Sequence, residues 1–323
     1  MAMRKLLLLL KPFDIYPVWQ TEGLSRLTNP QELQVLRYLE NRLKVHKDAI
    51  NFCQDVLRNK PVEWKPIFRN ELSYPIRNVD LVITIGGDGT LLQSSHFIDD
   101  SIPVLGVNSD PTQVEEVEEC SNEFDATRST GYLCATTTNN FEQVLDSIID
   151  GRRAPSQLSR MLIRVNSQHL SSYALNDILI AHPCPASVSR FSFKVKGNSQ
   201  SFSPMVHCRS SGLRVSTAAG STAAMLSAGG FPMPILSHDL QYRVREPISL
   251  GEISGSMHGL VNSDQSMDLK WFCKEGMIYI DGSHVSYSIT NGDTIELSSK
   301  APSLKVFLPH HLSLQTTAQN TEA

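Results

Sequence analysis

Three short apolar runs in residues 1–145 are separated by segments with helical features. The runs are Arg4 to Leu10, Asp80 to Ile85 and Ile102 to Val107. Continuous runs of this kind are typical of strands buried between two layers of helices. After the first run, Asn29-Pro30-Gln31-Glu32 has the residue types of a helix N-terminus, and apolar residues recur at helical spacing from Leu36 to Leu57. This alternation predicts an α/β domain with a doubly wound, Rossmann-like parallel sheet.

The pattern changes after Gly151, where short β-type runs are separated by turn residues. The runs are Met161 to Val165, Ala174 to Ile180, Phe191 to Val195, Gly212 to Ser216 and Met277 to Ile280. We therefore expect an α/β domain over 1–145 and a β-rich domain over 146–302. A strand within 303–315 is expected to return to the first domain, and the polar tail over 316–323 is expected to be disordered.

The composition of the 323-residue chain is that of a globular protein long enough for two domains. Hydrophobic residues make up 41% and charged residues 19% of the sequence, which excludes a wholly disordered or low-complexity chain. The formal net charge is -4, so no positive field would collect nucleic-acid phosphates or acidic lipids nonspecifically. We expect neither a nucleic-acid partner nor a membrane partner.

The six cysteines are scattered and form no CxxC pair, which argues against a disulfide framework. His182 with Cys184, and His207 with Cys208, lack the four-ligand spacing of a zinc site, so no metal site made of protein residues is predicted. The apolar run Leu6 to Leu10 is too short for a signal peptide or a membrane span. These features favour a cytoplasmic protein.

The sharpest chemical feature is Gly86-Gly87-Asp88-Gly89-Thr90, directly after the second predicted strand. Glycines let backbone N–H groups approach phosphate oxygens, and a helix N-terminus adds partial positive charge. A carboxylate in such a loop repels an anion unless it takes a proton or meets a metal on the phosphates, so we predict a chemical role for Asp88. A plain turn is the structural alternative. The Walker motif and the third glycine of a dinucleotide fingerprint are both missing.

Two later segments carry further candidate residues. Asn176-Asp177 ends an apolar run with an amide and a carboxylate, which suit ribose hydroxyls or an amino group but could also form a turn. The run from Gly212 to Ala223 delivers small hydroxyl-bearing residues and glycines after a strand. Such a run could approach a ribose or a diphosphate, although a tight helix–strand contact is the more common cause.

Taken together and in this order, the three segments resemble the NAD kinase family. The family's Gly-Gly-Asp-Gly-Thr loop falls on 86–90, its Asn-Glu pair on 176–177 and its small-residue block on 211–223. Two shorter family segments are matched by Pro234-Ile235 with His238, and by Asp281-Gly282 with Gly292-Asp293. The resemblance extends over most of the chain, from about Asp80 to Asp293.

The resemblance implies that the γ-phosphate of ATP, with Mg²⁺, is transferred to the 2′-hydroxyl of the adenosine ribose of NADH or NAD. Asp88 would be the general base, while Gly86, Gly87, Gly89 and Thr90 would position the phosphates. The residues implied to bind the dinucleotide are Asn176, Asp177, Arg209, Ser211, Gly220, Ser221, Thr222, Ala223 and Ser227. The resemblance also implies a homodimer, with ATP and NADH or NAD as small-molecule substrates.

Several residues depart from the family pattern. Ser211 stands where the family usually has Asp, Asp177 where it has Glu, Ala224 where it has Tyr, and Ser283 where it has Gln. NAD⁺ carries a positive nicotinamide ring and NADH does not, so loss of a nearby anion weakens binding of the oxidised form selectively. We therefore expect NADH to be preferred.

The acidic segment from Ser109 to Thr130 interrupts a family motif, and Gly131-Tyr132-Leu133 is its candidate displaced end. Charge runs of this kind usually form solvated surface, so we expect a surface insertion.

Two other functions stay open at this point. A lipid kinase shares the Gly-Gly-Asp-Gly-Thr loop, although the sequence shows no membrane-binding element. A sensor that binds NAD(H) without turnover is also compatible with the altered residues.

Overall fold

The computed structural model describes residues 4–15, 30–122, 124–197, 203–248 and 257–312. The chain divides into two compact units, residues 1–156 with 305–323, and residues 157–304. We call these the first and second units. The division falls after the predicted boundary at 145/146, because the helix Phe141–Ile149 and the turn that follows it belong to the first unit. Asn29, the predicted helix cap, and the tail 316–323 lie outside the described residues.

The first unit is built on a mainly parallel sheet. Its strands are β1 (Arg4–Leu10), β2 (Val62–Phe68), β3 (Leu81–Gly86), β4 (Val104–Asn108), β5 (Thr136–Thr137), β6 (Ser156–Leu158) and β19 (Leu304–Phe307). The order is β2-β1-β3-β4-β19-β6, with β5 beside β4, and the pairings among β1 to β5 and between β4 and β19 are parallel. The chain passes between the units within β6 and β19. The predicted fold class, α/β with a doubly wound sheet and a β-rich second part, is confirmed.

The described residues of the first unit form four α-helices: α1 (Pro30–Arg58), α2 (Asp88–Ser95), α3 (Val114–Cys120) and α4 (Phe141–Ile149). Apolar residues of α1 and α4 pack with alternate strand residues such as Leu8 and Ile83 in one buried cluster. Because neighbouring side chains on a strand point to opposite faces, Leu9 belongs to the other face, and it is also fully buried. Burial on both faces explains why the central strands read as continuous apolar runs.

The sequence did not predict β2, whose residues alternate between half-buried and exposed and which contains Pro66. Proline cannot donate to a ladder of hydrogen bonds and is confined to edge strands or bulges. The structure places β2 at the edge of the sheet, beside β1, where that missing donor is tolerated.

Most described residues of the acidic segment 109–130 are exposed or half-buried, as expected for a surface insertion, but two of its acids are engaged in a buried network. Asp110 and Glu116 form ion pairs with Arg42 of α1 and with Arg128, and both arginine side chains are almost fully buried. Both guanidinium groups lie near the Tyr38 ring, with distances of 5.2 Å (Arg42) and 5.6 Å (Arg128) to the ring centroid. A shared ion-pair network therefore fixes the segment to α1, while Glu115 and Glu118 remain exposed.

The second unit contains two six-stranded sheets within the described residues. One has the order β11-β10-β15-β18-β7-β8 and the other the order β14-β13-β12-β9-β16-β17. The strands of the first are β7 (Leu162–Val165), β8 (Gln168–His169), β10 (Ser189–Lys196), β11 (Val206–Ser210), β15 (Ser266–Trp271) and β18 (Thr294–Ser298). Those of the second are β9 (Asp177–Ala181), β12 (Gly212–Ser216), β13 (Leu240–Arg245), β14 (His258–Val261), β16 (Glu275–Ile280) and β17 (Val285–Thr290).

Residues from both sheets form the hydrophobic core of the second unit. Trp271 and Phe191, on paired strands of one sheet, stack with their ring centroids 6.2 Å apart. On β16 of the other sheet, Gly276, Ile278 and Ile280 alternate as buried positions, which is the period of a strand with one covered face. The short helix α5 (Ala224–Ser227) follows a 3₁₀ turn over Ala219–Thr222 after β12.

All six cysteines lie within the described ranges and are free thiols. None of the helices in those ranges combines the length and the apolar character needed to cross a membrane.

Candidate active site

The glycine loop joins β3 to α2 at the carboxyl edge of the parallel sheet. Helix α2 begins at Asp88, and Gly87 is the extended residue before it. Asp88 therefore lies in the first turn of a helix, where N–H groups have no partner within the helix. In an open α/β sheet this edge is the usual place for a ligand.

The Asp88 carboxylate is held by the chain that returns after the acidic segment. The backbone N–H of Tyr132 donates to Oδ2 at 2.8 Å, and that of Leu133 donates to Oδ1 at 2.9 Å. The Cys134 thiol also donates to Oδ1, at 3.6 Å. Residues 131–133, the candidate displaced end of the interrupted motif, thus lie against the loop and orient its one carboxylate.

Burial raises the pKa of Asp88 above its ordinary value of 3.8. Hydrogen bonds from Leu133, Tyr132, Cys134 and Thr130 act in the opposite direction because they favour the charged form. A raised pKa brings a carboxylate closer to the range in which it accepts a proton effectively near neutral pH.

Gly87 has no room for a side chain. A Cβ at this position would lie 2.4 Å from Ser129 Oγ, which accepts a hydrogen bond from the backbone N–H of Asp88 at 3.3 Å. Gly86 and Thr90 are buried, and Gly89 is exposed at the first turn of α2. The loop is therefore closed on the Ser129 side and accessible at Gly89.

A separate cavity of about 500 Å³ lies in the second unit. Three predicted residues line it, namely Asn176, Asp177 and Ala223. Ala224 and Ser283, which depart from the family pattern, line the same cavity. Arg214 and Asp281 also line it, and sequence reasoning assigned neither of them to the site.

Asp281 organises the segment that carries Asn176 and Asp177. Its Oδ1 accepts hydrogen bonds from the backbone N–H groups of Asn176 and Asp177, at 2.7 and 3.0 Å. Its Oδ2 accepts a hydrogen bond from the backbone N–H of Leu175 at 2.8 Å. Burial raises the pKa of Asp281 to about 7, against the lowering effect of these hydrogen bonds. The Asp-Gly dipeptide after an apolar run was the available signal, but it also fits an ordinary turn.

Asp177 and Asn176 present different groups to the cavity. The Asp177 carboxylate forms an ion pair with Arg214, which offsets part of the rise in its pKa caused by burial. The Asn176 side-chain oxygen is buried and has no hydrogen-bond partner among the described residues. Because buried polar atoms are nearly always paired, this oxygen marks a place where a donor on a ligand would fit.

Gly220 packs against the Asn176 backbone, and both Gly220 and Ser221 are buried. A Cβ on Gly220 would lie 2.2 Å from the Asn176 carbonyl oxygen. Ser221 is fully buried, and its hydroxyl donates to the Ala218 carbonyl and accepts the N–H of Met233. The tight packing contact considered for this small-residue run is therefore what the structure shows at these two positions.

The remaining predicted residues lie at other places in the second unit. Arg209 is exposed on β11, a strand of the other sheet, and Thr222 is half-buried in the 3₁₀ turn. Ser211 has a buried hydroxyl without a partner among the described residues, and it is not among the residues that line the cavity. Ser227 lines a neighbouring cavity together with Arg214.

No group of three or more His, Cys, Asp or Glu side chains in the described ranges could hold a metal ion. At the glycine loop, the carboxylate available to a metal is that of Asp88.

Comparison of the sequence with known proteins identifies related proteins. The model of the ATP-NAD kinase N-terminal domain matches residues 25–110, which include the glycine loop. An NADH kinase from Arabidopsis thaliana is 65% identical, with 97% of this chain and 98% of that protein covered. A probable NADH kinase from Oryza sativa subsp. japonica is 55% identical, with 98% of this chain and 99% of that protein covered.

The crystal structure of yeast NADH kinase complexed with NADH shares the fold, with a TM-score of 0.66 at 15% sequence identity. The comparison covers 98% of this chain and 86% of the yeast chain. Full-length similarity to the plant proteins confirms the resemblance that the motifs indicated, and the chain belongs to the NAD kinase family.

Proposed function

We propose that the protein is an NADH kinase, which transfers the γ-phosphate of ATP to the 2′-hydroxyl of the adenosine ribose of NADH and releases NADPH and ADP. The names of its full-length plant relatives and the match to an ATP-NAD kinase domain support this function. The observation that carries it is the Asp88 carboxylate, held in the glycine loop by the N–H groups of Tyr132 and Leu133.

Asp88 acts as the general base in this proposal. Its carboxylate takes the proton of the 2′-hydroxyl as the hydroxyl oxygen forms a bond to the γ-phosphorus. The bond from the γ-phosphorus to the bridging oxygen breaks, and ADP leaves with the electron pair. The raised pKa of Asp88 makes the carboxylate a better proton acceptor than an exposed aspartate.

The donor set at the loop is compatible with Mg²⁺ that arrives with ATP. Magnesium is usually held by one or two carboxylates together with substrate phosphates and water, and Asp88 supplies one carboxylate here. When bound, the ion would neutralise charge that develops on the phosphates.

Asn176 and Asp177 are proposed to hold the adenosine part of the dinucleotide. The unpaired Asn176 oxygen would accept a hydrogen bond from a ribose hydroxyl or from the adenine amino group. The ion pair with Arg214 neutralises part of the charge on the Asp177 carboxylate. A neutral hydrogen-bond donor of the ligand would therefore bind to Asp177 without burying an unpaired charge.

A preference for NADH over NAD⁺ is part of the proposal. Ser211, Ala224 and Ser283 are all neutral, and Ala224 and Ser283 line the cavity. Ser211 is not among the lining residues. A charged side chain at position 211 would therefore influence the nicotinamide ring through its electric field and not through direct contact.

A cytoplasmic location and a homodimer complete the proposal. The six free cysteines suit a reducing compartment. Large apolar side chains on the second unit are exposed and could be covered by a second copy, among them Phe231, Leu260 and Phe272.

Replacement of Asp88 by Asn should lower kcat for NADPH formation by about 10²- to 10⁴-fold, the usual contribution of a general base. The measurement is the rate of NADPH and ADP formation from NADH and ATP, with KM for both substrates.

For the unchanged protein, kcat/KM should fall as the pH is lowered through the raised pKa of Asp88, because the protonated carboxyl can no longer accept a proton.

Asp100→Asn, at an exposed acid of the same unit, is the matched control and should leave kcat unchanged. An Asp88→Asn enzyme that keeps kcat within tenfold of the unchanged protein contradicts the assignment. Phosphorylation of diacylglycerol but not of NADH would indicate the lipid kinase, and NADH binding without ADP formation would indicate the sensor.

Ser211→Asp should move the ratio of kcat/KM for NADH to that for NAD⁺ towards NAD⁺ by about fivefold, which corresponds to roughly 1 kcal/mol. Ser211→Asn is the control of similar size without charge and should leave the ratio unchanged. A ratio that stays constant in both variants removes this explanation of substrate choice.

Asp281→Asn should raise KM for NADH about tenfold and leave KM for ATP within twofold. An amide nitrogen in place of Oδ2 faces the Leu175 N–H, so one buried donor loses its acceptor, at a cost of about 1–3 kcal/mol, and the segment 175–177 shifts. Asp264→Asn, at an exposed position of the same unit, is the control. Equal changes in KM for both substrates would argue against a positioning role for Asp281.

Light scattering after size-exclusion chromatography should give twice the chain mass of 35.9 kDa. A mass equal to one chain at working concentrations rules out the homodimer.

A further inference from the structure

The last two residues of β3, Ile85 and Gly86, which we call the loop root, are held from both neighbouring strands. Directly after β1, the Lys11 N–H donates to the Ile85 carbonyl at 3.0 Å. Directly after β4, the Ser109 N–H donates to the Gly86 carbonyl, also at 3.0 Å. Strands β1 and β4 lie on opposite sides of β3. Because a peptide unit is planar, the bond to the Gly86 carbonyl also sets the direction of the Gly87 N–H.

One side chain of α1, that of His46, contacts both flanking segments. Its Nε2 lies 2.9 Å from the Lys11 carbonyl oxygen, and its Nδ1 lies 2.8 Å from Ser109 Oγ. A carbonyl oxygen can only accept a hydrogen bond, so Nε2 carries the proton and donates. Burial lowers the pKa of His46 to about 4, so the ring is neutral near pH 7 and Nδ1 accepts from the Ser109 hydroxyl. His46 therefore bridges the two segments that hold the loop root.

The surroundings of His46 are those of a hydrophobic core. The side chain has no exposed surface, and its ring packs edge-on against that of Phe13 with centroids 5.7 Å apart. The next buried positions of α1, Ala49, Ile50 and Cys53, are all apolar. Burial of a polar ring among them is unfavourable unless its nitrogens are hydrogen-bonded. The imidazole thus supplies directed hydrogen bonds where an apolar side chain would supply packing alone.

We propose that His46 is a positioning residue for the reaction, which sets the backbone of the glycine loop through Lys11 and Ser109. The inference rests on the proposed function, in which Asp88 accepts the substrate proton and the loop N–H groups position the phosphates. A misplacement of about 1 Å in such a site can lower a rate about a hundredfold. His46 acts only through the backbone of the loop root and touches no substrate.

The kinetic test compares His46→Phe with His46→Gln in the full chain. Phenylalanine keeps a buried ring and loses both hydrogen bonds, whereas the glutamine amide keeps one donor and one acceptor. His46→Phe should lower kcat for NADPH formation about tenfold and leave KM for NADH within twofold, and His46→Gln should recover most of that loss. Lys44→Gln, at an exposed position of α1, is the control and should match the unchanged protein.

Ser109→Ala tests the bridge from its other end. It removes the hydroxyl that meets Nδ1 and leaves the N–H of residue 109 on the Gly86 carbonyl. The single variant should lower kcat about threefold, and it should cause no further loss when combined with His46→Phe, in which the same bond is already missing. Losses that multiply in the combined variant show that the two residues act independently and overturn the bridge. Ser109→Ala and His46→Gln also provide the reading if His46→Phe does not fold.

Hydrogen–deuterium exchange gives a reading that does not depend on activity. In His46→Phe, the amides of residues 86–90 should exchange faster than in the unchanged protein, and in His46→Gln they should not. Exchange in α4, which shares a buried cluster with α1, should stay unchanged in both variants. Faster exchange in α4 as well as in the loop would mean that His46 merely stabilises the packing of α1, and it overturns the positioning role.

Failure of the proposed function gives a different result. If the unchanged protein forms no NADPH but exchange at residues 86–90 depends on His46, the control of the loop by His46 stands and the kinase assignment falls. If NADPH forms normally, and the folded His46 and Ser109 variants keep kcat within twofold and exchange like the unchanged protein, the kinase assignment stands and the positioning role falls.

Discussion

The half-buried carboxylate of Asp88 is oriented by hydrogen bonds from two backbone N–H groups, which belong to residues 44 and 45 positions later in the chain. The hydrogen bonds from Tyr132 and Leu133 join the glycine loop to the end of the acidic segment. The ion pairs of Arg128 and Arg42 with Asp110 and Glu116 fix that segment to α1. A local feature, the orientation of one side chain, is thus maintained by contacts spread over the first unit.

The second unit also contains an aspartate whose carboxylate accepts hydrogen bonds from backbone N–H groups, and there the carboxylate fixes the backbone of another segment. Asp281 accepts three backbone N–H groups from Leu175, Asn176 and Asp177 and so fixes the segment that lines the cavity. Burial raises the pKa of both Asp88 and Asp281, while the hydrogen bonds favour the charged form. The difference lies in exposure: Asp281 is buried, whereas Asp88 is half-buried beside the exposed Gly89.

Sequence patterns predicted what depends on local periodicity and missed what depends on distant contacts. Arg4–Leu10 was expected as a buried strand with the bounds that the structure gives, because burial on both faces leaves a continuous apolar run. The edge strand β2 was missed because Pro66 and half-exposed residues give no such run. The motif located Asp88 and Asn176, but it could not separate Ser221, which packs inside the fold, from residues that face the cavity. The role of Asp281 depends on partners more than 100 residues away, which no local pattern reports.

The most direct test of the account is the distance between Asp88 and the substrate hydroxyl in a crystal structure of the protein with NADH and a nonhydrolysable ATP analogue. If Asp88 is the general base, one of its carboxylate oxygens lies about 2.6–3.2 Å from the 2′-oxygen of the adenosine ribose, or is joined to it by one water. A 2′-oxygen that lies beyond that reach, with another side chain of the protein in hydrogen-bond contact with it, contradicts the account.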